Sequence, residues 1–232
     1  QLPQSAEKQA QKSNTPLELP NLKLPVQIAL DDVQIKQITI KTADSTPLRI
    51  DTIELRSTTT ETLSLQQLQV QAPLFNAKLV GQIGLQNPHA VQLHLDWSVH
   101  LPNAPTVVGQ GDISGDMQQL TLVHTVSQPL EIRFKSTLQD LLGTLYFDAE
   151  MNWQALYWPL TGTTKIVNSS PGHLTLSGNL EKYHLAITTN LSGQQLPRGL
   201  WHLTAQGNQQ ELLLEKLRAE LLQGIVEATG KV

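Results

Sequence analysis

Apolar and polar residues between positions 33 and 70 follow one pattern three times, each copy fifteen residues after the last. Val33, Ile35, Ile38 and Ile40 correspond to Leu48, Ile50, Ile53 and Leu55, and these to Leu63, Leu65, Leu68 and Val70. Every position between them is polar. Each copy alternates as a strand does, with successive side chains on opposite faces. Each also slips by one residue midway, at Lys36–Gln37, Asp51–Thr52 and Gln66–Gln67. A β-bulge absorbs such an extra residue, keeps both halves on one face and bends the strand. Bulges at matching positions in neighbouring strands would crease the sheet into a trough lined by these twelve residues. The alternative is that the apolar side chains swap faces at each slip, so that strands cross between the two sheets of a sandwich.

The alternation continues beyond residue 86 without the fixed spacing. Val91, Leu93, Leu95, Trp97 and Val99 alternate with Gln92, His94, Asp96 and Ser98. Leu120, Leu122 and Val126 form a run interrupted by His124, and Leu130, Ile132 and Phe134 alternate with Glu131, Arg133 and Lys135. Leu145, Phe147, Ala149, Met151 and Trp153 follow, then the pairs Leu174 and Leu176, Leu185 and Ile187, and Trp201 and Leu203. Gly, Asn, Asp, Ser and Pro separate the runs, which is the pattern of an all-β chain. Parallel strands buried on both faces would read as unbroken apolar runs. The pattern therefore predicts an antiparallel sheet with one apolar face, and about 14 strands at about 4.8 Å would span roughly 65 Å.

The segment ELLLEKLRAELL, residues 211–222, sets two signals against each other. Leu213, Leu217 and Leu221 stand four apart among good helix formers. Yet Leu212, Leu214, Leu217 and Ala219 reproduce the slipped pattern of residues 63–70, and with the repeat as context the segment reads as a strand.

A one-sided sheet must bury its apolar face against something. Helical patterns are nearly missing, so helices are not the cover. Aromatic residues make up 4% of the chain, too few for the girdles of a membrane barrel. A self-packed sandwich and a curled sheet around an apolar ligand remain. Burial gains about 0.8 kcal/mol per CH₂, so an acyl chain of about 16 carbons would contribute roughly 10 kcal/mol before losses.

The 232 residues carry a net charge of −4. That is not basic enough to predict a nucleic-acid partner, nor acidic enough for a disordered tail. Cysteine is absent, which rules out a disulfide framework and a thiolate metal site. No run reaches the roughly 18 apolar residues of a membrane-spanning helix. Residues 1–20 are polar and proline-bounded and read as a linker or short helix, followed by a continuous β segment over 21–232.

Candidate chemistry is thin. His94, Asp96 and His100 share one strand face, and the first two are near enough to chelate a metal; the preferred reading is solvated outer-face residues. GQGDISGD, residues 109–116, has the flavour of a phosphate loop but lacks the GxGxxG spacing and a following Lys. Its glycines and aspartates read as turn residues. No Ser–His–Asp arrangement follows from the spacing, so the chain is expected to be a non-enzyme without cofactor or metal. Trp153, Trp158 and Trp201 read either as core aromatics or as side chains that narrow or cap a groove.

The opening LELPNLKLPVQIALDDVQIKQITI, the stretch MNWQALYWPL and the closing SPGHLTLSGNLEKYHLAITTNLSGQQLPRGLWHLTAQGN resemble the TamB branch of the AsmA-like superfamily. In the last of these, a Tyr-led strand at Tyr183 and the turn formed by Leu196, Pro197, Gly199 and Trp201 carry the likeness. The resemblance covers nearly all of residues 17–232 and rests on structural motifs. It implies an elongated, antiparallel, repeating β-groove: a U-shaped sheet whose apolar interior conducts phospholipid between the inner and outer membranes of a Gram-negative bacterium. It further implies a periplasmic location, an inner-membrane anchor at the N-terminus of the full-length protein, and work with TamA, an outer-membrane Omp85-class partner, in outer-membrane protein assembly. Neither the anchor nor the partner-binding region is visible, so the chain is expected to be an excised, N-proximal segment. The expected lining joins the twelve repeat residues to Val91, Leu93, Leu95, Trp97, Val99, Phe134, Leu145, Phe147, Leu174, Leu176, Leu185, Ile187 and Leu203. Two alternatives stand beside this one. The first is a periplasmic chaperone for outer-membrane proteins and autotransporters acting by β-augmentation. The second is a structural sandwich module.

Overall fold

The computed structural model describes residues 19–40, 47–222 and 224–231. The expected linker or helix at the N-terminus falls, through residue 18, outside them. Fifteen strands follow in chain order. They are β1 (Ile28–Ile40), β2 (Leu48–Thr59), β3 (Thr62–Gln71), β4 (Phe75–Gly84), β5 (Val91–Val99), β6 (Val107–Gly115), β7 (Gln119–Gln128) and β8 (Ile132–Gln139). The remainder are β9 (Tyr146–Trp153), β10 (Leu156–Trp158), β11 (Val167–Asn179), β12 (Tyr183–Gly193), β13 (Gly199–Gly207), β14 (Leu212–Leu221) and β15 (Gly224–Lys231). No helix occurs among the described residues.

All fifteen strands belong to one antiparallel sheet in which, β10 apart, each pairs with the strands before and after it along the chain. The short β10 lies beside β11, off the main path. It extends the line of β9: Trp153 faces Gly172, and three residues on Leu156 faces Ser169. The ladder breaks between them because Pro171 has no N–H to donate. The hairpins close on short polar turns. Asp116 Oδ1 accepts from the N–H groups of Gln118 (2.8 Å) and Gln119 (3.0 Å). Asn179 Oδ1 does the same for Glu181 and Lys182, and Asn208 Oδ1 for Gln210 and Glu211. Such side chains mimic a backbone turn and so fix hairpin position.

Within the segment 211–222, Leu212–Leu221 form strand β14. Its alternation, matched to partners on both sides, overrides the helix propensity of its residues. A two-sheet sandwich is excluded, because every strand lies in the single sheet and none supplies a facing layer. Burial agrees. Among the described residues no large side chain is fully buried, and the buried apolar set is small, with Leu65 and Trp153 its largest members. The sheet is an open groove, not a closed core.

The slips have two different fates. In β3, Leu65 faces Gly81 and Leu68 faces Leu79, so Gln66 and Gln67 together oppose one residue of β4. In β14, Leu214 and Leu217 face Gly230 and Ala228, so Glu215 and Lys216 oppose one residue of β15. A third bulge, at Asp31–Asp32 of β1, lies between the pairs Leu30–Ser57 and Val33–Leu55. The bulges of β3 and β14 are those expected from the slipped pattern; the one in β1 lies at a position the pattern does not mark. The slips at Lys36–Gln37 and Asp51–Thr52 are not bulges of that kind, and here the sequence reading needs correction. The pattern reads the same in both directions, so antiparallel β1 and β2 match it completely: Val33–Leu55, Ile35–Ile53, Ile38–Ile50 and Ile40–Leu48. The two extra residues oppose each other and the register is unchanged. Gln37 takes up the local distortion in the left-handed region, at φ 58°.

Candidate functional site

Directly opposed residues of antiparallel strands share a face, so the register can be followed across the sheet as lateral rows. One row runs from β1 to β15: Val33, Leu55, Leu68, Leu79, Leu95, Gly111, His124, Phe134, Met151, Leu174, Ile187, Leu203, Leu217 and Ala228. Beside it runs a second: Ile35, Ile53, Val70, Ala77, Trp97, Gly109, Val126, Ile132, Trp153, Gly172, Thr189, Trp201, Ala219 and Val226. On the other flank a third row contains Leu65, Leu93, Ile113, Leu122, Leu176, Leu185 and Leu214. Beyond it Leu63, Val91 and Phe147 lie in a fourth. The opposite face is wet: Gln82, Gln92, Ser114, Thr121, Thr137, Asp148, Ser177, His184 and Gln206 form one polar row.

The bulges of β1, β3 and β14 all fall between the first and third rows. A second line of irregularity lies beyond the tryptophan row, at Lys36–Gln37 and Asp51–Thr52, at Ser127 of β7, and at Ser170–Pro171 of β11. Bulges bend strands and increase their twist. The first row and the tryptophan row thus form a floor with a crease along each side.

The apolar face so defined carries most of the residues singled out from the sequence. Val33, Ile35, Ile53, Leu55, Leu63, Leu65, Leu68, Val70, Val91, Leu93, Leu95, Trp97, Phe134, Phe147, Leu174, Leu176, Leu185, Ile187 and Leu203 fall in these four rows, and Val99 closes the same face of β5. Ile38, Ile40, Leu48 and Ile50 pair among themselves past the slip and are not joined to β3. Leu145 stands in the turn before β9, outside the ladder.

Two elements escaped the sequence reading. Strand β4 places Phe75, Ala77, Leu79, Gly81 and Ile83 on the apolar face, an alternation that is visible once Ala and Gly count as inward residues. In GQGDISGD, Gly109 and Gly111 are not turn glycines: they sit in β6 on the apolar face. A methyl group on Gly109 would come within 2.6 Å of the Trp97 indole. On Gly172 it would collide with the Trp153 indole. Both glycines provide room for an aromatic ring to lie against the sheet.

Each indole has a different polar environment. Trp97 Nε1 donates to His124 Nε2 at 3.1 Å. Trp153 Nε1 donates to Ser169 Oγ at 2.7 Å; that hydroxyl bonds Thr189 Oγ1, which donates to the Pro171 carbonyl at 3.1 Å. Trp201 Nε1 is buried without a partner in the structure. Trp158 stands apart in β10 and is 61% exposed.

On the wet face His94 bonds Asp112 through Nδ1 (2.7 Å) and faces Asp96 through Nε2 (3.3 Å). The hydrogen bond to Asp112 raises its pKa above 6.5, with the charges of both carboxylates adding to the effect. His100 lies past the end of β5. Among the described residues no group of three or more His, Cys, Asp or Glu side chains could hold a metal ion. A cavity of about 950 Å³ opens at the rim between Asn21, Asn87, Asp116 and Asp140, away from the floor. Among the described residues no helix is long and apolar enough to cross a membrane.

An antiparallel sheet that is apolar along one face from β1 to β15 and largely polar along the other, with no covering layer among the described residues, defines a β-groove protein. The chain belongs to the TamB family: the family model of the TamB N-terminal domain matches residues 1–232. No solved structure matches it.

Proposed function

We propose that this segment conducts phospholipid, its acyl chains sliding passively along the apolar floor while headgroups stay at the open, wet side. The observation that carries this reading is the unbroken pair of floor rows crossing the sheet from β1 to β15, with no layer above them among the described residues. Exposed apolar surface on this scale is costly in water at roughly 25 cal/mol per Å², and a fluid chain relieves that cost without requiring specific contacts. The full-length protein would then be a periplasmic bridge in a Gram-negative envelope, anchored in the inner membrane. It would meet a TamA-like outer-membrane partner of the Omp85 class through regions outside this segment and be linked in that way to outer-membrane protein assembly. The segment itself is assigned no catalytic step, cofactor or metal.

The test is a charge on the floor. Ile53→Asp in the full-length protein should block phospholipid movement between the membranes while the protein accumulates normally; undiminished movement would overturn the proposal. The sheet edges favour a second reading. In the isolated segment the side chains of β15 are exposed throughout and β1 is the other outermost strand, and a client strand adding to such an edge would bind by β-augmentation. That reading predicts tolerance of floor charges and sensitivity to proline in β15.

A further inference from the structure

His124 is the single residue on the apolar face of β5, β6, β7 and β8 that can carry charge near neutral pH. Its neighbours in the row are Gly111 and Phe134, and those on its own strand are Leu122 and Val126. The charged groups of the adjoining strands, His94, Asp96, Asp112, Arg133 and Lys135, belong to the wet face. The imidazole and the Trp97 indole are within 5° of parallel, with centroids 5.7 Å apart. An indole N–H only donates, so His124 Nε2 is the acceptor and the ring is neutral, with its proton on Nδ1. The bond joins the rings edge to edge as one flat plate. That plate lies where two side chains are missing: a methyl group on Gly109 would meet the indole, and one on Gly111 would stand 2.5 Å from His124 Nδ1.

We propose that Trp97, His124 and the Gly109–Gly111 bay form a latch that sets the bore of the groove; this rests on the lipid-conducting reading. With His124 neutral the indole lies flat and the trough above it is clear. A proton on Nε2 replaces the acceptor with a donor and brings positive charge against the electropositive edge of the indole. The indole is then released from the bay into the trough, where it excludes an acyl chain.

The test follows the Trp97 indole N–H signal in ¹⁵N-tryptophan-labelled protein, identified by its loss in Trp97→Phe, from about pH 8 to about pH 5. Bound lipid is read at each pH by native mass spectrometry after incubation with phosphatidylethanolamine–phosphatidylglycerol vesicles. The Trp97 signal should titrate together with a several-fold fall in lipid occupancy, while the Trp153 signal stays in place. His124→Gln, which keeps an acceptor that does not titrate, should hold lipid across the range; His124→Leu should hold little at either end. Lipid bound equally at both ends of the range, or a Trp97 signal that does not move, overturns the latch and leaves the groove standing. An absence of lipid at every pH overturns both.

Discussion

From β1 to β4 the floor is built from aliphatic side chains alone: Val33, Leu55, Leu68 and Leu79 in one row, Ile35, Ile53, Val70 and Ala77 in the other. From β5 to β11 large and absent side chains face each other, Trp97 against Gly109 and Trp153 against Gly172. Both arrangements give an apolar floor, but they differ in what they tolerate. The aliphatic end resembles a core in which exchange of one branched chain for another costs little. At the aromatic end the glycine is as necessary as the tryptophan, because any Cβ lifts the ring off the sheet. The backbone differs too. Near β1 and β2 two slips oppose each other and leave the register intact, whereas the slip in β3 has no counterpart and bends the ladder.

The largest effect should come from the unmatched slip. Deleting Gln66 alone removes the bulge and leaves Leu63 and Leu65 inward in regular alternation. Deleting Gln66 and Gln67 together turns both leucines to the wet face, since a one-residue shift reverses every side chain. Partial burial of two leucines, each contributing at most about 1.5–3 kcal/mol, sets an expected loss of about 4 kcal/mol in urea denaturation. The matched slips should behave differently: deleting Gln37 or Asp51 alone destabilises, and deleting both restores most of the loss. A double deletion as damaging as the sum of the two would show that the pairing of the slips carries no weight.

Next in size is the exchange of a floor glycine. Gly172→Val should displace Trp153, break its bond to Ser169 and lower stability by about 3 kcal/mol. Leu68→Val at the aliphatic end should cost about 1 kcal/mol. Equal losses at the two sites in parallel urea titrations would erase the distinction between the two floors.

The smallest effect lies outside the groove. The folded pKa of His94 is raised above 6.5, chiefly by its hydrogen bond to Asp112. Its contribution to stability is therefore complete below the unfolded value and disappears as pH rises through the folded one. NMR titration of the imidazole should show the raised value, and Asp112→Asn should bring it down; no change in Asp112→Asn would locate the cause elsewhere.

Much of this was legible from alternation alone. Period-two runs gave the one-sided antiparallel sheet, and the slip at Gln66–Gln67 gave the bulge, because a half-exposed strand can keep its apolar residues inward only by absorbing the extra residue. The same slip at Glu215–Lys216 correctly outweighed helix propensity in β14. What the pattern hid was direction: a palindromic repeat cannot tell a bulge from two slips that cancel, which depends on the partner strand. It also hid the inward glycines of β6. A residue without a side chain has no polarity to alternate, and Gly109 declares its role only when Trp97 is seen lying over it. The link between His124 and Trp97 spans two strand boundaries and has no local signal.

The most direct measurement is the native mass spectrum of this chain purified under mild conditions, with analysis of the lipid in a solvent extract, for the wild type and for Leu65→Arg. An open apolar floor predicts phospholipid bound to the wild type and lost from the variant, with the same strand content in both by circular dichroism. A wild type that carries no lipid, or a variant that carries as much, would contradict the account.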